Sequence, residues 1–322
     1  MHAIRVNAPG GPDVLVWQEL PDPSPGPNEL LVDVEAIGIN FIEVYQRSGQ
    51  YHIAPPFTPG AEVAGRVREV GSGVSGFRAG DRVVTQSAKG AYAERAIIPA
   101  DRAVKIPDGV TSRQAAAVFL QGITAHYLTT STFALGSGHQ CLVHAAAGGV
   151  GLLLCQMAKM HGAFVIGTAS TPEKLALARG AGADATINYT TQDFVAETKR
   201  LTGGAGVHVV YDSVGKSTFE GSLDSLRPRG LLALFGQSSG AVAPLDPQVL
   251  NRKGSLFLTR PTVAHYVATR EELEWRAGDV LHWVQEGKLT VRIGAEFPLR
   301  EAGDAHRALE SRRTTGKVLL TV

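Results

Sequence analysis

One stretch constrains this chain more than any other: Gly138 to Lys159, GHQCLVHAAAGGVGLLLCQMAK. Leu142 and Val143 sit in a short apolar run, Ala145 to Ala147 are small, and Gly148-Gly149-Val150-Gly151 follow. From Leu152 to Lys159 the residues are helix formers throughout. The stretch therefore reads as a buried strand, a glycine turn and a helix. Small residues let a backbone come close to a ligand, and the opening turn of a helix leaves amide N–H groups without carbonyl partners. Together they suit a diphosphate. Set against the dinucleotide pattern G-x-G-x-x-G, the three glycine slots fall on Ala146, Gly148 and Gly151, so the first is filled by Ala. Taken alone, the stretch also fits a glycine turn in another kind of α/β protein.

The flanking sequence narrows the choice. At 322 residues, with 44% hydrophobic and 19% charged residues, the chain has material for two cored domains. Up to about residue 119 it reads as short strands broken by turns. Leu30–Ala36 and Ala61–Val70 alternate, Ala79-Gly80-Asp81-Arg82-Val83-Val84 gives a turn and a strand, and Phe41–Ser48 has helical spacing. This predicts a compact, barrel-like sheet. From about residue 112 the pattern changes to one long or broken helix over Ser112 to Thr130, then the glycine stretch, then strands and helices in alternation up to Phe235. Such alternation predicts a parallel, doubly wound sheet. In the tail, 270–286 and 302–310 read as helices and 317–322 as a strand, which is expected to rejoin the first domain because a terminal strand needs a sheet edge. The expected organisation is α/β, with residues 1–119 and 262–322 forming one domain and 120–261 the other.

The remaining composition excludes several classes of function. A formal charge of +1 argues against a dedicated nucleic-acid surface. No signal-like start and no apolar run of about 18 residues occurs, which points to a cytoplasmic protein with no membrane partner. Cys141 and Cys155 both lie in apolar segments and read as core residues. Ten histidines are scattered without zinc-ligand spacing, so no metal is expected. Where a dinucleotide fold carries the acidic residue that holds the ribose of NAD, this chain reads Gly167-Thr168-Ala169-Ser170-Thr171-Pro172-Glu173-Lys174. Thr171 can cap the next helix and Pro172 suits its first turn, which places Lys174 near a positive helix end. Ser170 and Lys174 suit a 2′-phosphate, so NADPH is expected as cofactor.

These features together resemble the medium-chain dehydrogenase/reductase superfamily, and within it the zeta-crystallin-like quinone oxidoreductases. The resemblance rests on Ala146-Ala147-Gly148-Gly149-Val150-Gly151 with Gln156 and Lys159, on Gly80-Asp81-Arg82-Val83, and on the β-rich region before the glycine stretch. Further segments are Asn40-Phe41-Ile42 with Tyr45, Tyr211 to Gly215, Phe235 to Gly240, and Thr259-Arg260-Pro261. It implies a GroES-like β-rich catalytic domain joined to a Rossmann nucleotide-binding domain, with the cleft between them. It also implies a homodimer paired through an edge strand near Gly254–Thr259. By similarity, Asn40, Tyr45 and Tyr51 are the catalytic candidates, and Asn40, Phe41, Ile42 and Thr124 line the nicotinamide end. Gly148, Gly149 and Val150 hold the diphosphate, and Ser170, Lys174, Tyr189 and Arg312 the adenosine phosphate. Ser213, Phe235, Gly236, Gln237, Ser238 and Ser239, with Phe257, Leu258 and Thr259, contact the ribose and carboxamide. Each has a plainer alternative as turn or packing residue.

The zinc alcohol dehydrogenases of the same superfamily bind their catalytic metal at positions resembling Asn40, the Gly60-Ala61-Glu62 segment and Gln121, none of which repeats those ligands. Without a Lewis acid an alcohol is a poor hydride donor, whereas a quinone accepts hydride readily. The resemblance therefore implies zinc-independent, NADPH-dependent quinone reduction. Two alternatives stay open: reduction of 2-alkenals or other enones on the same fold, and a non-catalytic, NADPH-responsive protein of the crystallin or RNA-binding kind.

Overall fold

A computed structural model describes all of residues 1–322, and the chain divides into two units, Met1–Ile123 with Thr269–Val322, and Thr124–Ala268. In the first unit β1 (His2–Val6) and β2 (Leu15–Glu19) form a hairpin of their own. There follow β3 (Glu29–Gly38), α1 (Phe41–Arg47), β4 (Glu62–Val70), β5 (Arg82–Thr85), β6 (Arg95–Pro99), β7 (Val104–Lys105) and α2 (Ser112–Tyr127). α2 runs unbroken through the junction of the two units before a π-helical turn at Leu128–Thr132.

The second unit holds β8 (Gln140–Val143), α3 (Gly149–Met160), β9 (Phe164–Ala169), α4 (Pro172–Gly180), β10 (Ala185–Asn188), α5 (Phe194–Leu201) and β11 (Val207–Asp212). It continues with α6 (Phe219–Asp224), β12 (Leu226–Leu234), α7 (Gln248–Arg252), β13 (Phe257–Thr259) and α8 (Val263–Tyr266). The chain then returns to the first unit as α9 (Arg270–Gln285), β14 (Ile293–Pro298), α10 (Ala302–Glu310) and β15 (Lys317–Thr321).

The sheet of the second unit has the order β10-β9-β8-β11-β12-β13, every pairing parallel. Chain order reverses between β8 and β11, which in an open parallel sheet opens a crevice beyond the carboxyl ends of the strands. Leu142, Ile166, Val210 and Leu232 pack its interior against Leu223 and Phe219 of α6.

The first unit is built on a seven-stranded sheet, β14-β15-β3-β4-β5-β7, with β6 pairing β3 off that path. Leu30, Val32, Ile37, Val63, Val67, Val83 and Ile98 form its core. The terminal strand does rejoin this unit, but inside the sheet, antiparallel to β3 and parallel to β14. β14 alternates only between half-buried and exposed residues, so its apolar pattern is weak, and it takes the edge that β15 was expected to occupy.

The register around the end of β3 positions the polar residues discussed next. Gly38 pairs with Glu62 of β4 on one side and Leu319 of β15 on the other, and the Ile39 N–H bonds to the Val318 carbonyl. Lys317 and Glu62, the first residues of their strands, thus flank the point where β3 passes into α1 at Asn40.

Candidate functional site

In the nucleotide-type unit, the glycine stretch folds as the strand–turn–helix expected of it. Gly148 is the N-cap of α3, and the first bond along the helix runs from the Leu152 N–H to the Gly148 carbonyl. The N–H groups of Gly149, Val150 and Gly151 precede it, so they lie in the turn that lacks carbonyl partners within the helix. A Cβ on Gly151 would come 2.3 Å from the Ala145 carbonyl oxygen and 2.8 Å from the Ala146 Cα, so only glycine lets the helix start this close to the turn. Ala145 itself lies at φ 50°, in the left-handed region that an alanine rarely adopts.

The other expected cofactor residues of this unit follow the carboxyl ends of successive strands. Ser170 and Lys174 come after β9. The Thr171 side chain accepts the Lys174 N–H at 3.3 Å and caps α4, with Pro172 in its first turn. Partial burial holds the Lys174 ammonium below its usual range. Tyr189 follows β10 and is exposed. Ser213 follows β11, Phe235 to Ser239 follow β12, and Phe257 to Thr259 are β13 itself. The loops after β11 and β12 interlock: the Ser239 hydroxyl donates to the Val214 carbonyl at 2.7 Å and accepts the Ser217 N–H at 3.0 Å. A Cβ on Gly236 would sit 2.6 Å from the Ser213 carbonyl oxygen.

A buried polar chain that sequence reasoning missed braces these loops from beneath. His144 Nδ1 lies 3.0 Å from the Thr168 hydroxyl and its Nε2 3.1 Å from the Ser222 hydroxyl. Ser222 donates to Asp212 Oδ2 at 2.8 Å, and Asp212 Oδ1 accepts the N–H groups of Val214 and Gly215 at 2.7 and 3.0 Å. Burial lowers the affinity of His144 for a proton. A neutral ring with one donor and one acceptor nitrogen satisfies both hydroxyls.

In the β-rich unit, Asn40 is the N-cap of α1, and the Tyr45 and Tyr51 rings lie 5.3 Å apart, tied by the Tyr51 N–H to the Tyr45 carbonyl at 2.9 Å. Phe41 lies against Tyr45 at 6.2 Å, and Ile42 is exposed. Arg312, at φ 58°, follows α10 in this unit, whereas Thr124 opens the other.

The Asn40 amide is fully engaged. Its Oδ1 accepts from Gln121 Nε2 at 2.6 Å and from Lys317 Nζ at 2.8 Å, while its Nδ2 donates to Glu62 Oε2 at 3.0 Å and to the Gly38 carbonyl at 3.2 Å. Lys317 also bonds Glu62 Oε2 at 2.6 Å, Glu62 Oε1 accepts the Leu120 N–H at 2.7 Å, and Glu43 Oε2 accepts the Asn40 N–H at 2.6 Å. Lys317, Glu62 and Glu43 are all buried, and Gln121 is 7% exposed. Burial pushes the Glu43 carboxyl up to about 7 and holds the Lys317 ammonium below its usual range. A Cβ on Gly38 would fall 2.2 Å from Glu62 Oε2, so this glycine makes room for the carboxylate. The amides of Asn40 and Gln121 and the methyl of Ala61 stand at the positions that resemble the metal ligands of the zinc enzymes, with the Lys317 ammonium bonded to Asn40, and such a set does not suit zinc. The sign that sequence reading could have used is Lys317 at the head of the apolar run Val318–Leu320, since a buried lysine demands a carboxylate partner.

A parallel dinucleotide-type sheet in one unit, together with a β-rich unit that the chain enters twice, is the architecture of a medium-chain dehydrogenase/reductase. Two family models match accordingly, the alcohol dehydrogenase GroES-like domain over residues 26–108 and the zinc-binding dehydrogenase over 149–282. The chain is 47% identical over 323 residues to quinone oxidoreductase 1 of Escherichia coli, covering 98% of each, and 42% identical over 326 residues to 2-haloacrylate reductase of a Burkholderia species, covering 99% and 98%. A mycobacterial protein solved in complex with NADPH superposes with a TM-score of 0.98 at 49% identity, over 100% of both chains. The chain belongs to the quinone oxidoreductase family.

Proposed function

We propose that the protein is an NADPH-dependent quinone oxidoreductase that works without zinc. The observation that carries this reading is the start of α3, where the N–H groups of Gly149, Val150 and Gly151 lack carbonyl partners within the helix and a Cβ on Gly151 would collide with the turn before it. NADPH, when bound, supplies a hydride from its nicotinamide ring. Gly148, Gly149 and Val150 hold the diphosphate. Ser170, Lys174, Tyr189 and Arg312 receive the adenosine phosphate, and no carboxylate stands at Ser170 to repel it. Ser213 and Phe235 to Ser239, on loops braced by the His144–Ser222–Asp212 chain, and Phe257 to Thr259 of β13 orient the ribose and carboxamide.

Asn40, Phe41, Ile42 and Thr124 serve the nicotinamide end, with Tyr45 and Tyr51 as the groups beside the acceptor. A quinone suits a site without a Lewis acid, because aromatisation of the ring stabilises the charge that develops on its oxygen, and holding the ring in place then does most of the work. The similarity to a 2-haloacrylate reductase favours a second reading, reduction of an activated C=C bond by the same cofactor. Steady-state rates with 1,4-benzoquinones against α,β-unsaturated aldehydes and acids separate the two. Fast quinone turnover is expected, and negligible quinone turnover beside fast enone reduction overturns the choice.

No helix is long and apolar enough to cross a membrane. We place the protein in the cytoplasm as a homodimer paired through β13. That strand is the edge of its sheet and exposes 60% of Phe257. An apolar edge of this kind is usually covered.

A further inference from the structure

The hydrogen bonds around Asn40 leave no freedom in how its amide points. Lys317 can only donate, so the atom 2.8 Å from its Nζ is the Asn40 oxygen. Glu62 Oε2 already accepts from Lys317 and stands 3.0 Å from the opposite end of the amide, where only the nitrogen of Asn40 can serve. With both lone pairs and both N–H groups engaged, the Asn40 amide is held in this one orientation.

The same logic extends one residue further. The atom of Gln121 that lies 2.6 Å from Asn40 Oδ1 must be its Nε2, so the Gln121 carbonyl oxygen is turned away from Asn40. That oxygen is buried and has no hydrogen-bond partner, on a side chain more than nine-tenths buried. Gln121 also stands one helical turn before Thr124 on α2, on the same face as the residue assigned above to the nicotinamide end.

We propose that the Gln121 side-chain oxygen is the acceptor for a hydroxyl hydrogen of the molecule being reduced, and that Asn40, Lys317 and Glu62 are positioning residues that force this orientation on it. The inference rests on the reading that a carbonyl acceptor is reduced beside Thr124. A quinone carbonyl presents no donor, but once hydride from NADPH and a proton from solvent have been taken up, its oxygens carry O–H groups. A site with an orphaned acceptor favours that product-like hydroxyl and penalises an analogue lacking the hydrogen, because the buried oxygen is then left unpaired. The amide anchoring Gln121 keeps its Lys317 partner whatever happens at Gln121, so truncating Gln121 strands no buried charge.

The test uses the full chain saturated with NADP⁺ and two redox-inert probes, 4-tert-butylphenol and 4-tert-butylanisole, which differ by one O–H donor. Titration calorimetry is expected to show the phenol binding about 10-fold more tightly to the wild type. In Gln121→Met the ratio is expected to fall within twofold of unity, with NADPH affinity within twofold of wild type. If Gln121→Met does not bind NADPH, Gln121→Ala takes its place with the same expectation. A wild-type ratio near one, or a variant that binds NADPH and keeps the preference, overturns the proposal. Quinone turnover is measured separately on the wild type, so its absence counts against the reaction assigned above, while the phenol–anisole ratio judges Gln121.

Discussion

Changing Glu43 to Gln removes a buried ionisable group while keeping an oxygen for the Asn40 N–H, now bonded at 2.6 Å. Burial raises the Glu43 carboxyl from 4.5 to about 7, against the opposing pull of Lys317 and the Asn40 N–H. Between those two values the folded chain holds a proton that the unfolded chain has released. The folded state therefore loses stability as pH climbs through this window, and the loss is complete above about pH 7. The gap corresponds to about 3 kcal/mol at full ionisation, of which about 2–3 kcal/mol falls between pH 5 and pH 8. All other titrating groups are shared with the variant and largely cancel in the comparison. Urea unfolding of wild type and Glu43→Gln at pH 5 and pH 8 reads the difference directly. The variant is expected to lie within about 1 kcal/mol of wild type at pH 5 and to be more stable by about 3 kcal/mol at pH 8. Parallel pH profiles, or a wild type that gains on the variant as pH rises, would refute the account of Glu43 as a carboxyl that burial keeps protonated.

Gly151→Ala drives a Cβ to 2.3 Å from a backbone oxygen that cannot swing aside, so a loss of about 1–3 kcal/mol in unfolding stability and at least about tenfold in NADPH affinity is expected, by denaturation and fluorescence titration. Lys174→Ala should weaken NADPH by about 1.5–3 kcal/mol and leave NADH nearly unchanged; equal losses for the two cofactors would remove Lys174 from the phosphate site. Thr171→Ala deletes the cap of α4 and is expected to cost about 1 kcal/mol of stability, checked by thermal melting. Phe257→Arg places a charge on the exposed edge of β13, and sedimentation should show a shift from dimer to monomer; a monomeric wild type would count against that edge as the interface.

Much of this protein is legible along the chain because the information is local. The strand–turn–helix at Gly138–Lys159 follows from small residues and glycines in a row, and the cap at Thr171-Pro172 from two neighbouring side chains. The alternation of strands and helices from residue 140 to 235 requires a parallel sheet whichever residues fill its core. The carboxyl-end loops that carry Ser170, Ser213 and Phe235 follow from that topology. Tertiary structure alone decided what meets across long sequence separations. Lys317 finds Glu62 and Asn40 only because β15 enters the sheet beside β3, inside the edge taken by β14. His144 finds Ser222 and Asp212 only because β8 and β11 are neighbours where the strand order reverses. Spacing reports which face of its own element a side chain occupies, whereas the pairing of buried charges and amides depends on strand register. That register is set by the packing of the whole sheet, and no local pattern carries it.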